Sequence, residues 1–246
     1  MSAKRLRWIT LSGLALMVLI LAVGLVFLRF SRTTAQFPLP DRQAAPAPGP
    51  GGGSAGEGET VTVTRENVQA VVASLQRPKA YSRTTQVDLY YGPGALASFT
   101  IRSSVGERAT LTAITGPGGQ RYLLSAGELR YIWYEGDKEY FAAQGGSADE
   151  DQMMLTYEDI VSLDPEAISE AGVERRNGEL GVFVEFTYGR LGYRTRCFIS
   201  AVNGLLLEAE QYDGDRLVYR MRTLDVDLTA PEESLFTLPD GSSPAL

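Results

Sequence analysis

The 246-residue chain has no histidine and a single cysteine, Cys197. Without an imidazole there is no Ser-His-Asp triad, no Cys-His dyad and no histidine-ligated zinc site. With one thiol there is no intrachain disulfide, so an ordered domain must be held by its core. No cysteine follows the N-terminal apolar run, which removes the attachment point of a bacterial lipoprotein. Basic charge is also scarce. Six of the 23 Lys+Arg and two of the 30 Asp+Glu precede Glu59, which leaves 17 against 28 and a formal charge of −11 from there on. Phosphate backbones and anionic bilayer surfaces repel such a domain, which argues against nucleic acid as a partner.

What is present first is a run from Trp8 to Leu28 without one charge. Its roughly 21 residues, at ~1.5 Å each, match a bilayer core of about 30 Å. Lys4, Arg5 and Arg7 precede it, which sets the N-terminus in the cytoplasm and the rest of the chain outside; Arg29 and Arg32 weaken that contrast without reversing it. A cleavable secretory signal is the competing reading. Its apolar region is usually about 7–15 residues and ends in a small-x-small site, which Arg29-Phe30-Ser31-Arg32 does not supply. The expectation is a retained single-pass anchor in the cytoplasmic membrane. Residues 1–32 then form the stub and membrane helix, and 33–59 a Pro/Gly-rich tether with too little apolar surface to fold. An extracytoplasmic domain occupies 60–241 and a short tail 242–246.

Within the domain, Val68, Val71, Val72 and Leu75 recur at helical spacing between Thr64 and Pro78, which predicts a helix over 64–76. The period then changes to two. Strands are expected at 84–91, 96–104, 107–115, 120–125, 129–134 and 138–143. A polar loop precedes a second amphipathic helix over 152–163, carrying Met153, Tyr157 and Ile160, and a short helical segment at 165–171. An antiparallel meander follows, with turns at Asn177-Gly178, Asn203-Gly204 and Asp213-Gly214-Asp215. Alternation places Val182, Val184, Phe186 and Tyr188 on its covered face, with Tyr193, Cys197 and Ile199, then Leu205, Leu207 and Ala209. In the last strand Leu217, Tyr219 and Met221 give way to Leu224, Val226 and Leu228, a phase change that predicts a β-bulge near Thr223.

The segment from Cys197 to Gly214, a strand, an Asn-Gly turn and a returning strand before an Asp-Gly turn, resembles the LolA-like and LppX-like family. Pro231 and Leu235-Phe236-Thr237-Leu238-Pro239 are similar to the family's terminal segment. The family includes the periplasmic lipoprotein carrier, mycobacterial lipoproteins that hold lipid, and the sensor domain of a sigma-factor regulator. The resemblance implies an α+β fold: a strongly curved antiparallel sheet, an incomplete β-barrel of about ten strands, capped by two or three helices. It further implies an apolar cavity lined by Val68, Val72, Met153, Tyr157, Ile160, Val184, Phe186, Tyr193, Leu205, Leu207, Tyr219 and Met221. The same residues would fill a solid core if there were no cavity.

Other candidate chemistry is sparse. Asp225 and Asp227 share a strand face but are ordinary outward acids, and Asp149-Glu150-Asp151 lies in a polar loop, so no metal site is expected. Cys197 reads as a core thiol. The aromatics Tyr131, Trp133, Tyr134, Tyr140 and Phe141 supply both faces of one hairpin, of which only one must be core. No cofactor motif and no paired acids at catalytic spacing occur, so the chain reads as a non-enzymatic binding domain. A lipid or acylated ligand is the first expectation. A protein-interaction or regulatory module of the cell envelope or of the sporulation or germination machinery, with a filled core and no ligand, is the alternative.

Overall fold

The computed structural model describes residues 37–38, 60–92, 95–144, 153–188 and 191–244. The expected membrane helix at 8–28, most of the tether, and Asp149-Glu150-Asp151 lie outside them. The first strands, β1 (Phe37–Pro38) and β2 (Thr60–Val61), pair only with each other. Helix α1 (Val68–Ser74) leads into the long run β3 (Tyr81–Gly92), β4 (Ala95–Val105), β5 (Ala109–Gly116), β6 (Gly119–Ala126), β7 (Leu129–Tyr134) and β8 (Phe141–Gln144). Helix α2 (Tyr157–Val161) and a 3₁₀ turn at Pro165–Ala167 precede β9 (Ile168–Arg176), β10 (Glu179–Tyr188), β11 (Tyr193–Ser200), β12 (Leu206–Asp213) and β13 (Arg216–Asp227).

Strands β3 to β13 form one open sheet of eleven strands, ordered β8-β7-β6-β5-β4-β3-β13-β12-β11-β10-β9. Each neighbouring pair is antiparallel, and one non-local pairing, β13 with β3, joins the two meanders. The chain thus has the expected α+β architecture, with an unclosed sheet.

Both helices are shorter than the sequence predicts. Thr64 opens a turn, its carbonyl accepting from Val68 N at 2.9 Å, and Asn67 takes the N-cap position of α1 while its side chain accepts from Thr64 N and donates to the Thr62 carbonyl. At α2 the Thr156 and Asp159 capping box sets the start, so Met153, expected in the helix, lies before it with φ 57°. The apolar stripe of α1 is nonetheless as read: Val68, Val71, Val72 and Leu75 are all buried. Gln69 Nε2 ties the helices together by donating to the carbonyls of Ile160 (3.1 Å), Val161 (3.1 Å) and Leu163 (2.8 Å) at the C-terminal end of α2. These are carbonyls that a helix end leaves without intrahelical donors.

Register assigns each side chain to a face. The inner face, under the helices, carries Val87, Ile101 and Ile114 from the early strands. From the late strands it carries Val182, Val184, Phe186, Cys197, Ile199, Ala209, Tyr219 and Met221. The bulge expected near Thr223 is present, since pairing with β3 skips Leu224. A second bulge overturns one expectation. Phe198 pairs with Glu208 but Ile199 with Leu206, so Leu207 is the extra residue. Leu206, 2% exposed, therefore takes the core position expected for Leu207, which is half-buried.

The outer face is covered in two ways. Over β5–β7 the C-terminal segment lays Phe236 and Leu238 onto Leu124, Tyr131 and Trp133, with Tyr122 stacked on Trp133 at 5.4 Å. Over the late meander, charged side chains form a ladder: Arg176 pairs with Glu174 and Glu208 (both 2.6 Å), Arg196 with Glu174 (3.0 Å), Arg194 with Glu185 (3.2 Å) and Arg220 with Glu210 (2.9 Å). Beneath the ladder Arg196 lies 4.4 Å over the Phe183 ring. Such stacking lets guanidinium and ring bury each other's flat faces.

Candidate functional site

A half-open cavity of about 410 Å³ lies on the inner face beside the packed core. Its floor is the early sheet: Tyr81 and Arg83 of β3, Ser103 and Val105 of β4, Thr110 of β5 and Ser125 of β6. Its other walls are Arg77 and Pro78 after α1, Thr156 to Glu158 at the start of α2, and Leu205 and Leu206 at the start of β12. The volume falls within the roughly 300–1,000 Å³ of small-molecule sites.

Register explains the floor. Arg83 pairs with Ser103 and Ser103 with Thr112, which makes one inward row across three strands. The neighbouring row toward the strand ends is Tyr81, Val105, Thr110 and Ser125. Inward positions that are Val87, Ile101 and Ile114 deeper in the sheet thus become polar and aromatic at its end. The β11–β12 turn closes the wall: Gly204 has φ +66°, and a Cβ there would lie 2.8 Å from the carbonyl of Gln76. Only glycine permits that approach to the end of α1.

Arg77 organises the mouth. Its Nη2 donates to the carbonyl of Val72 at 2.5 Å and its Nη1 to that of Leu75 at 3.1 Å, so it caps α1 while its guanidinium lies 3.4 Å over the Tyr157 ring. Burial lowers the Arg77 guanidinium from its ordinary value. The Tyr157 hydroxyl is raised, first by its hydrogen bond to Glu158 and then by burial. Arg83 has weak partners: the Leu206 carbonyl at 3.5 Å and the Met154 sulfur at 3.9 Å. Neither arginine has a carboxylate at ion-pair distance among the described residues, in contrast to the arginine ladder outside. The Nε atoms of both, with Ser103 Oγ, are buried without a hydrogen-bond partner.

Of the residues expected to line a cavity, Tyr157 and Leu205 reach this one. Val68, Val72, Ile160, Val184, Phe186, Tyr219 and Met221 are packed in the core instead. Met153 is half-buried and its carbonyl accepts from the Tyr219 hydroxyl at 2.9 Å. Tyr193 and Leu207 are half-buried on the late strands, Tyr193 at the turn opposite Tyr188. Arg77, Arg83 and Ser103 were missed. Extending the alternation of the late strands into β3 and β4 would have shown Arg83, Thr85 and Ser103 pointing inward. Cys197 is buried in the core, and burial pushes its thiol up, which makes it a poor nucleophile. Asp227 caps the following turn, accepting from Thr229 N at 2.8 Å.

No family model and no curated protein matches this chain. Solved structures do. The LolA superfamily protein from Nitrosomonas europaea aligns at 13% identity over 71% of this chain and 98% of its own, with a TM-score of 0.36. MucB aligns at 16% identity over 70% of this chain, with a TM-score of 0.44. The match spans 61% of MucB's length. Mycobacterium tuberculosis lipoprotein LppX aligns at 10% identity over 68% of this chain and 95% of its own, with a TM-score of 0.40. The helices and the cavity share one face of the open sheet, while the C-terminal segment occupies the other.

Proposed function

We propose that the domain binds a lipid or acylated ligand in the cavity between α1, α2 and the early strands, and does so without catalysis. The observation that carries this reading is the cavity's mixed lining, in which Tyr81, Val105, Leu205 and Leu206 offer apolar surface beside polar groups of Arg83 and Ser103. A site of that composition suits an amphiphile better than a wholly polar or wholly apolar molecule. The sequence resemblance to the LolA-like family supplies the ligand class. In this reading the segment 8–28 anchors the protein in the cytoplasmic membrane and the tether holds the domain on its outer face.

The packed core favours a second reading. Seven residues expected on a cavity wall are filled in, as they would be in a regulatory module that binds another envelope protein. Native mass spectrometry of the full chain extracted from its membrane separates the two. The proposal expects a bound lipid, lost in Thr110→Trp, whose indole would occupy the cavity. Protein that takes up no lipid from a total extract overturns it.

A further inference from the structure

We propose that Arg83, Ser103 and Arg77 form a seat for the anionic headgroup of a single-chain amphiphile, a carboxylate or phosphate monoester taken head inward. The inference rests on the binding function proposed above and names the chemistry of its ligand.

The argument starts from a contrast between the two faces. Outside, Arg176, Arg194, Arg196 and Arg220 each meet a carboxylate within 3.2 Å. Inside, Arg77 and Arg83 line the cavity with no such partner among the described residues, although the domain has far more acids than bases. Arg77 feels the charge of Glu158 and donates to two carbonyls, but Arg83 has no acid at ion-pair distance among the described residues, and a partly buried cation so placed calls for acceptors. Leu206 O at 3.5 Å and the Met154 thioether at 3.9 Å engage Arg83 weakly.

The second observation is independent of charge. Ser103 is 4% exposed and lines the cavity, yet its hydroxyl has no partner. Directly across the strands stand Arg83 on one side and Thr112, fully buried and also unpartnered, on the other. Nearly all buried hydroxyls in folded proteins are hydrogen-bonded, so the Ser103 hydroxyl, on the cavity floor beside Arg83, calls for an acceptor. An oxyanion against the Arg83 guanidinium answers both observations, and it reaches the Nε groups and Ser103 Oγ, which are closed off from solvent, only as the cavity wall gives way to it.

Register orients the ligand. The row of Arg83 and Ser103 lies one step inside the row of Tyr81 and Val105, so the head sits inward and the chain leaves past Tyr81, Val105 and Pro78. Glu158 also lines the cavity, but it is exposed, and its carboxylate is engaged with the Tyr157 hydroxyl. An amphiphile with a cationic head gains nothing at Arg83.

The test uses the full chain held in amphipol, so that no detergent competes, and calorimetric titration with dodecanoate, dodecyl phosphate, dodecanol, acetate and inorganic phosphate. The two alkyl anions are expected to bind about tenfold or more tightly than dodecanol, the scale of a hydrogen bond to a charged group. Arg83→Gln is expected to erase that advantage over dodecanol, while Arg83→Lys keeps most of it. Ser103→Ala, a smaller change to the fold, is expected to reduce the advantage in the same direction. Dodecanol binding as tightly as dodecanoate overturns the anion seat and leaves lipid binding standing. Acetate or phosphate binding as tightly as the alkyl anions shows a free-anion site and overturns the amphiphile. Binding of none of the five overturns both proposals.

Discussion

The guanidinium of Arg77 lies 3.4 Å over the ring of Tyr157 and joins the end of α1 to the start of α2 at the mouth of the cavity. One side chain thereby caps a helix, stacks on its neighbour and lines the site. Arg77→Ala is expected to cost about 1–3 kcal/mol, from the lost cap bonds and the cation–π contact. Hydrogen exchange should accelerate in α1 and α2 and leave β10 to β12 protected; uniform acceleration across the sheet would contradict a local role.

The β12 bulge makes a paired prediction. Leu206→Ala should cost about 2–5 kcal/mol in urea unfolding, as for a core leucine, and Leu207→Ala less than half as much. Equal costs would mean that Leu207 is not the bulged residue.

Glycines under aromatic rings supply a third prediction. A Cβ at Gly181 would overlap the Phe198 ring and the Ile199 carbonyl, whereas at Gly118 nothing lies within 4 Å. Gly181→Ala should destabilise by about 3 kcal/mol or more and Gly118→Ala by under ~0.5 kcal/mol. A mild Gly181→Ala would mean that the β10–β11 pair can spread apart.

Acid should loosen the outer ladder. Burial alone would raise Glu210, but hydrogen bonds from Tyr212 and Arg220 and the charges of Arg220 and Arg176 outweigh it and hold its carboxyl below the ordinary value. A depressed folded-state value means stability that is present above the unfolded value, about 4.5, and lost as pH falls through the folded one. The urea midpoint of the wild type should therefore drop more steeply below about pH 4.5 than that of Glu210→Gln. Parallel curves would show that Glu210 contributes nothing.

The strands were legible because alternation is a local signal, and so were turns whose backbone demands it: Asn177 and Gly178 have φ of 49° and 87°, as an Asn-Gly hairpin turn requires. The bulge at Leu224 was readable as a phase change. The one at Leu207 was not, because Leu205-Leu206-Leu207 has no phase to read. The helices are shorter than their stripes because apolar spacing says where a stripe runs and not where its caps lie, and at α2 the Thr156 and Asp159 box sets the start. The cavity was illegible for a different reason. Arg77, Arg83, Ser103 and Leu206 are brought together by register and by the β13–β3 joint, neither of which is a local property of the chain.

The measurement that bears most directly on the account is the titration of dodecanoate labelled with ¹³C at its carboxyl, bound to the full chain and followed by NMR. If the head lies between Arg83 and Arg77, the bound carboxyl titrates at lower pH than the free acid, because nearby positive charge favours the anion. A bound carboxyl that titrates at the free value or above it would place the head in solvent or against apolar surface, and would contradict the account.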